Sequence, residues 1–513
     1  MTLEPEAIGH LATLSEAADA VAAELVVRDA VRRMFAADHT LWSDDPTEIS
    51  DRLGWIPVVG EMLASLDALR ARCDALLVGV DHVLVMGMGG SSLFPEVLSA
   101  TFGGAGAGPT LQVLDTTDPA AIARIAAACP ADRTLHVASS KSGSTIETRS
   151  HLEWAWDRSG DPTRFAVITD PGSELGELAR SRGFAEVFEN RADIGGRYSA
   201  LSLFGIVPAL LAGVDARALL EGGRAALEAS GPDADPATNP ALVLGATLAA
   251  GVRVGRDKAT FVLGREVAML GLWLEQLIAE SLGKGGTGVV PIVGEPLGEP
   301  SVYGADRLFV VDPGHITQLG ELAAAGHPVL TVPSAPDAWV IGHLVAVAEL
   351  ATALAAAAMG VQPFDQPDVA AAKAATNEVL AAGGASTTVE PADTILSLLE
   401  PGDHLAIQAF VDPSGPLAVP LEAVRIALRD RYRVATSLGF GPRFLHSTGQ
   451  LHKGGPPAIV CLQVVTSDPA DTDIPGRSLT FGALKHAQAD GDLQTLVARG
   501  IRAARVDLED LLG

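Results

Sequence analysis

The chain has 513 residues, 48% of them hydrophobic and 19% charged, with a formal net charge of −27. That length exceeds one ordinary core and predicts about three domains, while the negative balance excludes nucleic acid and anionic membrane surfaces, which both need a basic partner. An anionic substrate is repelled at long range too, so a phosphate ester would have to be held by local N–H groups, hydroxyls and a few cations.

Met1 to Glu6 places acid where a secretory leader carries positive charge, and the expectation is a cytoplasmic protein. Cys73, Cys129 and Cys461 are odd in number and widely scattered, which fits buried thiols better than a disulfide framework or a zinc site. Helix-period segments over Ala20 to Met34 and Gly60 to Leu77 predict a helical N-terminal segment over residues 1–80. From Asp81 short apolar runs alternate with helical ones, with strands expected at 82–86, 111–114, 134–138 and 165–169. After a Pro/Asp/Gly stretch at 231–240 and a helix at 241–254, the strand rhythm restarts at 259–263, 308–311 and 328–332. The apolar run Leu344 to Met359 is interrupted by Glu349 and reads as a buried helix, not a bilayer span. Polarity rises around Gly383–Gly384 and Ser386–Thr388, and a third region follows with strands at 405–411, 459–465 and 504–506. The fold class is α/β, built on doubly wound parallel sheets covered on both faces. The divisions fall at 81–250, 251–384 and a C-terminal α/β extension at 385–513.

Two loops carry the chemistry. The first strand runs into Gly87-Met-Gly-Gly-Ser-Ser92 and then a helix from Leu93, an arrangement that exposes N–H groups to an anion. A dinucleotide site has the same outline, and Asp115 ends the next strand where a ribose-binding acid would sit, but Ser92 occupies the last position of GxGxxG. The third strand ends in Ser139-Ser-Lys-Ser-Gly-Ser-Thr-Ile-Glu-Thr148, where Ser140, Ser142, Ser144 and Thr145 surround Lys141 at the start of a helix. A helix cap needs one hydroxyl; four beside a lysine suit a phosphate. Arg197 follows two glycines in Asp193 to Ser199, and Glu280 falls late in a helix that Gly283 can stop. Taken singly, these two have the usual reading of a surface ion-pair partner and a solvated helix face.

In chain order, GMGGSS at 87–92, SSKSGSTIET at 139–148, GGRYS at 195–199, ESLGK at 280–284 and the run Phe364-Asp-Gln to Lys373 resemble the signatures of the phosphoglucose isomerase family, over roughly residues 81–375. The resemblance implies two sugar-isomerase (SIS) domains with the active site in the cleft between them, usually in a homodimer. It implies interconversion of glucose 6-phosphate and fructose 6-phosphate through a cis-enediolate, with no metal or redox cofactor. By motif, Gly90, Ser91, Ser140, Lys141, Ser142 and Thr145 would hold the phosphate, while Arg197, Glu280, Gln366 and Lys373 would line the reacting end. One carboxylate must move a proton from C2 to C1, the role implied for Glu280, and a fixed cation must face the enediolate, the role implied for Arg197.

Ring opening asks for an acid, implied to be Lys373 with a histidine. The family keeps that histidine some twenty to thirty residues after the ESxGK signature and often donates it from a partner subunit. Leu297 to Tyr303 contains none. Leu445-His-Ser-Thr-Gly-Gln-Leu-His-Lys-Gly-Gly455 looks like the segment displaced beyond the FDQ run, with His446 or His452 in the role; it reads alternatively as a surface turn or a separate phosphate contact. His327 and His343 are further candidates, the latter in an apolar helix where a core histidine is usual. Three other functions stay open: an isomerase for mannose 6-phosphate or an amino-sugar phosphate, a SIS sensor without turnover, and a nicotinamide oxidoreductase using the 87–92 loop.

Overall fold

The computed structural model describes residues 11, 14–103, 108–382 and 387–512. Met1 to Glu6, and Gly383, Gly384 and Ser386 at the expected start of the third region, lie outside these.

Three sheets form, each with purely parallel ladders. The first holds β1 (His82–Met86), β2 (Thr110–Leu114), β3 (Thr134–Ser139), β4 (Phe165–Thr169) and β5 (Glu186–Glu189) in the order β2-β1-β3-β4-β5. The second holds β6 (Lys258–Val262), β7 (Val290–Val293), β8 (Arg307–Val311) and β9 (Val329–Thr331) in the order β7-β6-β8-β9. The third holds β10 (Val389–Glu390), β11 (His404–Phe410), β12 (Ala435–Phe440), β13 (Ile459–Val465) and β14 (Arg502–Val506) in the order β10-β14-β13-β11-β12. Strands such as β3, β4, β8 and β11 are buried along their whole length. A sheet covered on both faces needs continuous apolar runs, and these are the strands whose runs stand out in the sequence.

The elements that escape the sequence pattern are β5, β7, β10 and β12. β5 reads Glu-Val-Phe-Glu at a sheet edge, and β12 carries Ser437 and Gly439 where β-formers would be expected. The expected helix over Ala20 to Met34 is two, Ser15–Val27 and Ala30–Phe35, because Asp29 takes a left-handed φ of 50° that interrupts the ladder. Both pack into one core with a face of the first sheet and the Leu270–Leu282 and Ala338–Met359 helices. The last of these is long and apolar enough to cross a membrane by length and composition, yet 94% of its apolar window is buried inside the fold. Ile474, Phe481 and Leu484, from the C-terminal region, cover the opposite face of the first sheet.

In the first sheet β1 pairs with β2 on one side and β3 on the other, with Met86 beside Ala138. The chain reverses its direction of travel there, and ligands bind at such a switch point, off the carboxyl ends of the strands. Both hydroxyl-bearing loops leave from those two neighbouring ends.

Candidate active site

The glycines of the first loop make room for other parts of the protein. Gly89 has a φ of +55°, and a Cβ there would stand 2.7 Å from Gln276 Nε2 and 2.8 Å from the His446 carbonyl. A Cβ on Gly90 would lie 1.9 Å from the Gly196 carbonyl. The loop is therefore glycine-rich so that the 195–199 turn and the 443–446 turn can close over it, which draws three distant segments to one point.

Between them opens a cavity of about 460 Å³ whose walls include Ser91, Ser140, Thr145, Arg197, Glu280 and His446. Gly90, Ser142 and Gln366 also line it. Thr145 is the N-cap of the Ile146–Ser159 helix, yet its side chain makes no cap hydrogen bond and, among the described residues, its hydroxyl meets only Ser140 Oγ, at 3.3 Å. Ser142 and Ser144 likewise face each other at 3.0 Å. Ser140 Oγ and Ser142 Oγ also accept the Gly143 and Ser144 N–H groups at 3.2 and 3.3 Å, so the hydroxyls bond within their own turn, at a helix start whose first N–H groups have no intrahelical acceptor, a setting disposed for an anion. Lys141 lines the cavity too, but its Nζ lies 2.5 Å from Asp170 Oδ2 and 2.6 Å from the Ala192 carbonyl, so its charge is already engaged.

Arg197 and Glu280 form a buried pair, Nε to Oε2 at 3.0 Å, with 2% and 3% of their surfaces exposed. The Arg197 guanidinium also donates to the Pro363 carbonyl at 3.0 Å and the Asp365 carbonyl at 3.1 Å. It is thus both the carboxylate's counter-ion and the fastening of the loop that carries Gln366. Lys284 fastens the same loop from below, donating to the Gln362 carbonyl at 2.5 Å and Asp365 Oδ1 at 2.6 Å. Burial, with Arg197 nearby, pushes the Lys284 ammonium down to about 7. Burial also raises Glu280 above the usual carboxylate range, against the pull of Arg197 and His446. Gln276, one helical turn before Glu280, donates to the His446 carbonyl at 2.9 Å and lies 3.4 Å from Glu280 Oε2.

Of the two candidate histidines in the third region, only one faces this cavity. His446 Nε2 lies 2.9 Å from Glu147 Oε1. Burial works to raise Glu147, but the adjacent His446 holds it down at about 2, so the carboxylate only accepts and Nε2 must carry the hydrogen. His446 Nδ1 has no protein partner among the described residues and is the ring atom left for a ligand. His452 is 3% exposed, its Nδ1 lies 3.1 Å from Gln408 Nε2, and burial presses it down to about 3. It is a core residue. His327 and His343 are also pushed down by burial and line neither cavity at this site. Lys373 is exposed on the Val369–Ala382 helix and lines an adjoining cavity of about 260 Å³ that shares Ser142, Thr145 and His446 with the first.

Glu147, Gln276 and Gln488 line these cavities and were passed over by sequence reasoning. Glu147 stands inside the 139–148 motif and Gln276 stands four residues before Glu280, so helical spacing could have found the second. Gln488 has no such signal.

Residues 61–293 match the family model described as phosphoglucose isomerase. This segment is of the phosphoglucose isomerase family. The chain is 30% identical over 352 residues to a glucose-6-phosphate isomerase of Synechococcus sp. (strain JA-3-3Ab), covering 58% of this chain and 66% of that one. It is 29% identical over 406 residues to that of Rubrobacter xylanophilus, covering 67% of this chain and 91% of the other. The chain thus spans just under two thirds of the Synechococcus relative. Among solved structures, a hypothetical protein from Thermus thermophilus superposes with a TM-score of 0.61 at 26% identity, over 72% of this chain and 98% of that one. A glucose-6-phosphate isomerase from Chlamydia trachomatis shares the fold, with a TM-score of 0.58 at 18% identity, over 72% of this chain and 86% of the other.

Proposed function

We propose that the chain is an aldose–ketose isomerase that interconverts glucose 6-phosphate and fructose 6-phosphate. The observation that carries this reading is Glu280, a carboxylate buried beside Arg197 and facing a hydroxyl-lined cavity at a helix start. Ser91, Ser140, Ser142 and Thr145 take the phosphate, with the Ile146–Ser159 helix start adding its dipole. Lys373 and His446 stand at the sugar end, where a proton delivered to the ring oxygen opens the ring. Glu280 then removes the proton from C2; the C–H electron pair becomes the C1–C2 double bond, and the carbonyl pair moves onto O1 as the enediolate. The O2 proton passes to O1, directly or through a neighbouring base, and return of the first proton to C1 leaves the ketose. A base with a raised pKa is suited to give and take one proton near neutral pH.

The SIS divisions at 81–250 and 251–384, the extension at 385–513 that supplies His446, the cytoplasmic setting and the homodimer belong to the same reading. A coupled assay of fructose 6-phosphate conversion tests it, run beside mannose 6-phosphate and with Glu280→Gln. Turnover of fructose 6-phosphate to glucose 6-phosphate that disappears in the variant is expected; equal turnover in the variant would remove Glu280 from the mechanism, and binding without turnover in the wild type would make the protein a sensor.

A further inference from the structure

The Phe481–Ala498 helix buries polar and charged side chains as well as apolar ones. Lys485, Gln488 and Asp492 are 0%, 3% and 0% exposed, and their spacing of three and four residues places them along one face. That face runs along the candidate site. Lys485 pairs with Asp118 at 3.0 Å, Gln488 Nε2 donates to Glu147 Oε1 at 2.6 Å, and Asp492 pairs with Lys453 at 2.5 Å, in the helix that follows His446.

Gln488 is the member that touches the proton chemistry. It donates to the same Glu147 oxygen that His446 Nε2 meets at 2.9 Å. An amide has two faces, and only one serves a carboxylate. The Thr117 hydroxyl donates to Gln488 Oε1 at 2.9 Å, which fixes the amide with its NH2 toward Glu147. Thr117, Gln488 and Glu147 are all buried, so each donor and acceptor in the row has little water to replace a lost partner.

We propose that Gln488, oriented by Thr117, is a positioning residue for the Glu147–His446 pair, through which the C-terminal region sets the histidine's ring and the direction of its free Nδ1. This rests on the isomerase reading above. His446 from the 443–446 turn and His151 from the Ile146–Ser159 helix act on Glu147 electrostatically, and Lys373 from the Val369–Ala382 helix and Asp492 from the Phe481–Ala498 helix line the same cavity. Burial presses His151 down to about 4, and its Nε2 lies 2.9 Å from the Thr116 carbonyl, so it stays neutral and outside the row.

The test compares Thr117→Val, Thr117→Ser and Gln488→Leu by steady-state isomerisation across pH, with thermal melting by circular dichroism as the check on folding. Valine matches threonine in shape and removes only the hydroxyl; serine keeps it. Loss of the amide's hold on Glu147 lets the His446 ring turn from its working orientation. Thr117→Val and Gln488→Leu are therefore expected to lower kcat roughly tenfold, a fraction of what general acid–base catalysis supplies, with KM nearly unchanged, and Thr117→Ser is expected to restore the rate. Folded valine and leucine variants with wild-type kcat would overturn the proposal, as would equal losses in the valine and serine variants. A wild-type protein without isomerase activity would instead defeat the underlying functional reading.

Discussion

Two acid-bearing pairs stand at adjoining cavities, Glu280 in the wall of one and Glu147 in the wall of the other with His446 lining both, and they are tuned in opposite directions. Glu280 lies against Arg197 on the side built by residues 195–199 and the Leu270–Leu282 helix, and burial outweighs its cation so that its pKa rises. Glu147 lies against His446, across 299 positions of sequence, and is held at about 2. Arg197 divides its guanidinium between Glu280 and three loop carbonyls, whereas His446 turns its Nε2 hydrogen onto Glu147. On the proposed isomerase reading the contrast fits two roles. A carboxyl with a raised pKa exchanges protons; one held ionised orients a partner.

The comparison can be broken most decisively at Glu280. Glu280→Gln keeps the shape and removes the base, and kcat is expected to fall by roughly 10²–10⁴-fold with KM little changed, measured by steady-state kinetics. Arg197→Met should destabilise the fold by about 3–5 kcal/mol, read from denaturant unfolding, because it leaves the buried carboxylate without its cation. His446→Ala should lower kcat by about 10²-fold, while His452→Gln should leave kcat within about twofold and act on melting temperature, as expected of a core residue; the opposite ranking would exchange the two histidines. Ser140→Ala with Thr145→Val should raise KM about tenfold at nearly constant kcat, the mark of lost ground-state binding.

The smallest effects are in pH. Glu280 must be ionised to accept the C2 proton and its pKa is raised, so the acid limb of kcat/KM should lie above the ordinary carboxylate value of about 4.3. For stability the sign at Glu147 is the reverse. Its folded pKa is depressed, so its contribution is complete above the unfolded value and fades as pH falls toward about 2, and Glu147→Gln should flatten acid unfolding over that window.

Much of the frame was legible. Strands such as His82–Met86, Phe165–Thr169 and Ile459–Val465 are continuous apolar runs because both faces of each sheet are covered. Edge strands such as Glu186–Glu189 and Ala435–Phe440 were hidden because an edge tolerates polar and small residues. The hydroxyl loop stood out because four Ser/Thr residues exceed what a cap needs, and the Thr145 side chain makes no cap hydrogen bond to its helix. Lys141 was legible as a charge but not as a charge already paired with Asp170, since ion-pair partners 29 residues apart leave no local pattern.

Residue type, spacing and order along the chain determined three α/β regions, two hydroxyl-bearing loops, an arginine after a glycine pair and a glutamate near a helix end. Only the tertiary structure decided that β1 and β3 are neighbours, that Gly89 and Gly90 admit the 443–446 and 195–199 turns, and that His446 faces the cavity while His452 is enclosed. The physical reason is range. Hydrophobic periodicity and turn chemistry act over a few residues and are written in the sequence, whereas the pKa of Glu280, the hydrogen on His446 and the amide face of Gln488 are set by groups brought together from distant parts of the chain by packing.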